Sequence, residues 1–344
     1  MLYMNDIFKK IGIWLAILPM VYTTTLNAQD YSDDKERIAR IEGVLSKLPK
    51  ISGFVNLRYV YDNLNNNNSF DVRRARLDFR GDISEQFAYR LQIEFANNPK
   101  ILDAYVNWKI NSQLQLQTGQ YKIPFSIENA YSPTNLEMID NSLVIMALSN
   151  YSDVSGISAN GRDVGLGFSG SFLRREGGFS IINYSLGLFN GSGINTPDNN
   201  KSKDFSGILT VNPLKYLSVA GYHYNGSAVI MGDNQERVRT GFGTKYDYNQ
   251  WLLRGEYIIA ETGDLKSEGA YAVLGYFVHP KIQTLVKYDY LKRDKSDSDI
   301  KQQNYTAGIN YLPVKNIRLQ LNYSYKTSFE YNYNYISTQL TGMF

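Results

Sequence analysis

The sequence predicts an all-β fold, a transmembrane antiparallel β-barrel of about sixteen strands. Three observations predict it. Apolar and polar residues alternate with a period of two. The alternating segments run to about ten residues or more, where strands of globular proteins usually stop near five or six. The connections between them are tight and long by turns, as in barrels with short periplasmic turns and longer outer loops.

Along the chain, the first element is an export signal over residues 1–28. Lys9 and Lys10 give a positive start, residues 11–18 are an apolar run, and Ala28 precedes a cleavage point ahead of Gln29. The rival reading, a membrane anchor, needs about 20 apolar residues, and this run is too short. Cleavage removes Lys9, Lys10 and Asp6, so the net charge of +3 becomes +2. Residues 29–50 form a separate unit, expected to be a short periplasmic helix. Ile38, Ile41, Leu45 and Leu48 are spaced three, four and three apart, a heptad seam. Such a helix is marginal alone. It reads equally as a trimerising coiled coil or as a helix lying against the barrel mouth.

The barrel itself is expected over residues 51–344. In 87–96, Phe87, Tyr89, Leu91, Ile93 and Phe95 alternate with Ala88, Arg90, Gln92, Glu94 and Ala96. In 102–110, Leu102, Ala104, Val106, Trp108 and Ile110 alternate with Asp103, Tyr105, Asn107 and Lys109. Residues 317–326 repeat the pattern, with Ile317, Leu319, Leu321, Tyr323 and Tyr325 on one face. The alternation is blurred in 215–226 and 268–279, which leaves the strand count open by two. Tight connections fall at 81–85, 111–113, 174–177, 212–215, 248–250, 279–281 and 313–316. The longer set includes 63–69, 191–203, 227–234 and 293–303. The longest break, about 123–160, is expected to fold into the barrel as a constriction loop.

Composition narrows the function. A net charge of +3 on 344 residues gives no footprint for nucleic acid. Cysteine is absent, which removes disulfides, thiol catalysis and zinc–thiolate sites; no cofactor or metal is expected. The 28 tyrosines suit strands and membrane interfaces. In hydrocarbon only a closed sheet satisfies every backbone group, so the apolar face meets lipid and the polar face lines the lumen. At about sixteen strands the interior is wide enough to hold a channel.

Several motifs resemble the porin O/P family, named for phosphate-selective porins. They are the Arg73–Ile83 run RRARLDFRGDI, the Asp103–Trp108 run DAYVNW, the Gly119–Asn129 run GQYKIPFSIEN, and the Gly161–Gly167 run GRDVGLG. Phe189-Asn-Gly191 and Lys203-Asp204 fit as well. The resemblance covers most of the exported chain, is densest in residues 51–210, and looks like the Bacteroidetes branch. It implies a sixteen-stranded, trimeric porin of the outer membrane that passes small anionic or polar solutes. The terminal Phe344 resembles the last aromatic residue of other outer-membrane proteins, read by the barrel-assembly machinery. Ile336, Leu340 and Phe344 share one face, as an assembly signal would.

Strand parity then assigns the pore chemistry. The lumen face is expected to carry Arg58, Arg74, Arg76, Arg80, Arg90, Arg237, Arg239, Arg254 and Arg318, with Lys109, Lys245, Lys287 and Lys326. Asp62, Asp78, Glu94, Asp103, Asp247, Glu256 and Asp289 share it, so thirteen cations stand against seven acids. Rings of Arg and Lys favour anions. The alternative is a solvated lumen whose charges pair with one another. Loop 123–160 has no Lys or Arg, and its acids are Glu128, Glu137, Asp140 and Asp153. An acidic constriction facing a basic wall would set a field across the pore. The lysine-rich loop of phosphate-specific members has no counterpart here. Other barrels are enzymes or adhesins. The only histidines, His223 and His279, fall in no catalytic motif, and the long loop has the apolar content of an inward-folding one.

Overall fold

A computed structural model describes residue 37 and residues 48–296, 301–328 and 330–344. The helix expected over residues 29–50 and the signal over residues 1–28 lie outside the described residues, apart from Arg37 and the last few positions.

Sixteen strands form one closed antiparallel barrel. The first five are β1 (Lys50–Asp62), β2 (Asn67–Asp82), β3 (Phe87–Glu94), β4 (Lys100–Lys109) and β5 (Gln115–Lys122). After a long insertion come β6 (Arg162–Arg175), β7 (Phe179–Phe189), β8 (Asp204–Leu214), β9 (Leu217–Ile230) and β10 (Asp233–Tyr248). The ring continues through β11 (Trp251–Thr262), β12 (Leu265–His279), β13 (Ile282–Lys292), β14 (Lys301–Val314), β15 (Ile317–Thr327) and β16 (Asn332–Met343). Each strand pairs with its chain neighbours, and β1 closes on β16 from Phe54↔Met343 to Asp62↔Tyr335. Phe344 completes the seam: its N–H donates to the Gly53 carbonyl at 3.0 Å, and Gly53 N–H donates back at 2.9 Å. Position 53 must be glycine for this closure, because a Cβ there would sit 2.5 Å from the Phe344 ring.

The outward face is the apolar one. Leu319, Leu321, Tyr323 and Tyr325 of β15 are all exposed on it. Aromatic pairs band both rims, as interfacial rings do. Phe87–Trp108 and Trp251–Tyr276 lie at the short-turn end, Tyr59–Phe70 and Tyr288–Tyr305 at the other.

Besides register shifts next to three short turns, two irregularities break the alternation. Pairing of β1 with β2 shifts between Asn56↔Arg74 and Leu57↔Val72, so Arg73 is an extra residue in β2. Pairing of β3 with β4 shifts between Gln92↔Asp103 and Ile93↔Ile101, so Leu102 is the extra residue there. Leu102, expected among lipid-facing residues, is instead fully buried at that bulge.

The hydrophobic core of this barrel is inside it. The segment 123–161 between β5 and β6 folds into the lumen and carries two short helices, α1 (Ile127–Ala130) and α2 (Leu143–Leu148). Val144, Ile145 and Leu148 of α2 are fully buried in one cluster with Ile258, Tyr271, Val273, Leu285 and Leu291 of β11–β13. A polar inward face on every strand is thus not what the structure shows; beneath the loop part of that face is apolar. Gly269 of β12 makes room for the contact, since a Cβ there would lie 2.8 Å from Val144 Cγ2.

Candidate functional site

The lumen is shaped by what holds the loop against one wall and what the loop leaves open on the other. On the held side the charges are consumed internally. The Glu256 carboxylate of β11 accepts from the backbone N–H groups of Ile127 (2.7 Å) and Glu128 (2.8 Å) at the start of α1. It also accepts from the hydroxyls of Ser126, Tyr222 and Tyr271. An anion at the unsatisfied N–H groups of a helix start is favourably placed. Glu128 turns back to accept from Ser142 N–H (2.7 Å) and Ser142 Oγ (2.9 Å), which ties α1 to the start of α2. Arg254 of β11 reaches both loop glutamates, Glu137 at 2.7 Å and Glu128 at 3.2 Å, with its guanidinium over the Tyr131 ring. Burial pushes the Glu137 carboxyl up, and Arg254 offsets this only in part.

Two further arginines pin the end of the loop. Arg239 of β10 pairs with Asp153 at 2.7 Å. Arg237 donates to Asn150 Oδ1 at 2.6 Å and stacks over Tyr224, whose hydroxyl bonds Asp204. Arg237, Arg239 and Arg254 are 0, 1 and 2% exposed, so they do not face pore water as strand parity suggested. Glu128, Glu137 and Asp153 are buried with them. The picture of an acidic loop facing a basic wall is therefore corrected: three of the four loop acids lie underneath, neutralised by the cations that were to oppose them. Parity gives the face of a residue but not whether a loop covers it. Arg318 of β15 is buried too and donates to the Pro133 carbonyl at 3.3 Å. The loop's middle is sewn to the same wall by Asn310 and Gln320 amides donating to Glu137 O, and by Ile139 N–H donating to Asn322.

Across the lumen, β1–β3 present arginines of a different kind. Arg58 makes a two-pronged pair with Asp71 on the adjacent strand, at 3.1 and 2.5 Å. Arg80 and Arg90 both grip Asp78, at 2.9 and 2.5 Å, and Arg90 also reaches Asp103 at 3.0 Å. Arg80 is 57% exposed by side chain, the most open of the set. Arg74 is half-buried and has no ion pair within 4 Å among the described residues. Arg76 is the exception on this wall, buried against Glu94 at 2.7 Å. Lys109 pairs with Asp82 at 2.8 Å near the short-turn rim, exposed to water. Of the remaining lysines, Lys245 pairs with Asp247 and Lys287 with Asp289, and Lys326 lies over the Tyr335 ring.

The loop meets this wall at one place. Arg73, the extra residue of the β2 bulge, donates to Ile139 O at 2.8 Å and to Asp140 at 2.7 Å. Asp140 is the one loop acid of the four expected that stays open, its side chain 38% exposed. Its partial burial would raise the carboxyl, but Arg73, then Lys326 and Arg58, hold it down at about 2. Arg73 was not among the expected residues, because two successive arginines in an alternating strand can be given opposite faces only. Arg162 was missed as well. It sits at the loop's exit and pairs with Asp103 at 2.7 Å, both buried. Lys122, at the loop's entry, donates to the carbonyls of Asn129 and Tyr131. Among the described residues no cluster of His, Asp and Glu is arranged to hold a metal ion.

A sixteen-stranded barrel with an inward loop between β5 and β6 and arginines opposite it agrees with what the sequence itself matches, the phosphate-selective porin O and P family, over residues 50–234 and 224–335. The chain belongs to that family. This porin is an integral protein of the outer membrane. Solved structures share its fold at low identity. An anion-selective porin from Comamonas acidovorans is 15% identical with a TM-score of 0.68, over 86% of this chain and 99% of that one. OmpF of Salmonella typhi, in complex with daunomycin, is 14% identical with a TM-score of 0.62, over 87% and 99%. A trimer form of OmpT from Vibrio cholerae is 12% identical with a TM-score of 0.62, over 86% and 99%. No protein of curated function matches the sequence.

Proposed function

We propose that this porin is a water-filled diffusion channel that prefers small anions, with the preference set by the wall β1–β3 and the adjoining Lys326. The observation that carries this is the unequal use of charge on the two sides of the loop. On the held side the buried cations are bonded to loop side chains, to loop carbonyls or to acids of neighbouring strands. On the open side Arg58, Arg73, Arg74, Arg80, Arg90 and Lys326 share Asp71, Asp78, Asp103 and Asp140. Six cations against four acids, in a lumen with low-dielectric walls, raise the local concentration of anions. Membership of the family supports the same sign. The interleaved acids argue for a graded preference among small anions, with no lysine-rich loop to favour phosphate alone.

The homotrimer is part of this proposal and rests on the trimer form recorded for OmpT, a fold neighbour. So is an assembly role for Phe344, whose ring packs on Gly53 at the barrel seam. A catalytic role has no support from the histidines. His223 bonds Thr240 on the outward face, and His279 lies at the β12–β13 turn. Reversal potentials across a planar bilayer in a potassium chloride gradient test the reading. An anion-selective potential that falls in Arg74→Gln/Arg80→Gln supports it, and a cation-selective wild-type pore would overturn it.

A further inference from the structure

On the outer side of the loop, between α2 and β13–β16, the lumen opens into a pocket of about 290 Å³. Its lining is of two kinds. Met138, Leu143 and Met146 of the loop form an apolar side, with Leu143 and Met146 only half-buried. The other side is polar and includes Arg73, Lys287, Lys326 and Asn304 together with Asp140 and Asp289, of which Asp289 is paired with Lys287 at 3.0 Å. Arg73 is occupied by Asp140. Lys326 is not so occupied: among the described residues no carboxylate lies within 4 Å of its ammonium, which rests 3.4 Å from the centre of the Tyr335 ring. The Asn304 amide likewise has no hydrogen bond to another described residue and remains open to a ligand. The pocket on the other side of the loop differs. It gathers Arg76, Arg80 and Arg90 with Ser132, Thr134 and Asn135, and the loop contributes no apolar side chain to it.

A cation with no carboxylate partner within 4 Å, beside half-exposed thioether and leucine side chains, is poorly matched to a small inorganic anion, which leaves the apolar side wet. It is matched to an ion with a charged head and an apolar body. We propose that this pocket is a subsite for organic carboxylates: the carboxylate sits on Lys326 and Asn304, and the hydrocarbon part lies on Leu143 and Met146. The proposal rests on the anion-preferring reading above and narrows its solute class to organic acids.

The test uses the full porin in a planar bilayer, with chloride current recorded while acetate, hexanoate or inorganic phosphate is added from the loop side. Moving about two of hexanoate's extra methylenes out of water favours it over acetate by roughly tenfold. Hexanoate is therefore expected to halve the current at about one-tenth of the acetate concentration, and phosphate to resemble acetate. Leu143→Gln/Met146→Gln should abolish the hexanoate advantage while leaving the potassium chloride reversal potential unchanged. Lys326→Gln should weaken both carboxylates alike. Met146→Leu should retain the advantage and shows that a folded, apolar position is what matters. Equal block by acetate and hexanoate in the wild type, or tighter block by phosphate, overturns the subsite. A reversal potential with no anion preference overturns the broader reading instead, so the two failures are told apart.

Discussion

Arg254 and Arg80 both stand on inward faces of barrel strands. Arg254, on β11, is 2% exposed, bonded to two loop glutamates and stacked on Tyr131. Arg80, on β2, is 57% exposed and shares one aspartate with Arg90. The first is part of a packed interior, in which a charge is tolerated only when paired. The second lies in water, where its pair contributes little to stability but its charge is felt by passing ions. The difference lies in whether the loop covers the residue, and position along the strand does not reveal it.

The largest effect should come from breaking the covered side. Arg254→Met leaves Glu128 and Glu137 buried without their cation, a change of about 3–5 kcal/mol. The folded barrel should melt at lower temperature on a heat-modifiability gel, and open-channel current should become larger and noisier as the loop loosens. Adding Glu128→Gln and Glu137→Gln should recover much of the loss. No recovery would mean that Arg254 acts through packing on Tyr131 and not through charge.

Next in size is the open side. Arg74→Gln/Arg80→Gln removes two charges that face water, so the loss of anion preference should be greatest at low salt, where the Debye length is about 30 Å at 0.01 M. Folding should be little changed. Glu128→Gln should leave the reversal potential where it was. If it moves the potential as far as the arginine changes do, the division into covered and open charges is wrong.

A smaller effect separates the two kinds of loop acid. Asp140→Asn should raise anion preference modestly. Its carboxyl is held at about 2, below the roughly 3.9 of a free aspartate. A depressed value means that its pairing with Arg73 is fully present above about pH 4 and is lost as pH falls through about 2. Selectivity attributable to Asp140 should therefore be flat from pH 7 to pH 4. A change between pH 6 and 5 would place the titrating group elsewhere. The smallest effect expected on the folded state is that of deleting Phe344, which removes two backbone hydrogen bonds at the seam and should lower the yield of assembled barrel more than its melting temperature. An unchanged yield would leave the terminal ring without an assembly role.

The barrel was legible in the sequence because period-two alternation over ten residues is a local signal. Ile317–Tyr325 reads the same in the sequence and in the structure, where β15 buries Arg318, Gln320, Asn322 and Ser324 inward. The loop's position was legible as the longest gap in that pattern. What the loop does to the residues under it was not legible, because burial of Arg237, Arg239 and Arg254 depends on contacts with residues about 90 to 130 positions away in the chain. Arg73 escaped for a different reason. A bulge inserts one residue without changing the composition around it, and no residue type marks the place.

That bulge also bears on how such a pore can change over generations. Val72 faces outward and Arg74 inward, and they would still alternate correctly if the codon for Arg73 were deleted. Adding or losing that single codon therefore adds or removes one lumen cation, together with the tether to Asp140, without turning any other side chain in β2 to the wrong solvent. Length variation of this kind gives selection a way to adjust the charge of the channel that is independent of replacing residues, and that leaves the lipid-facing surface untouched.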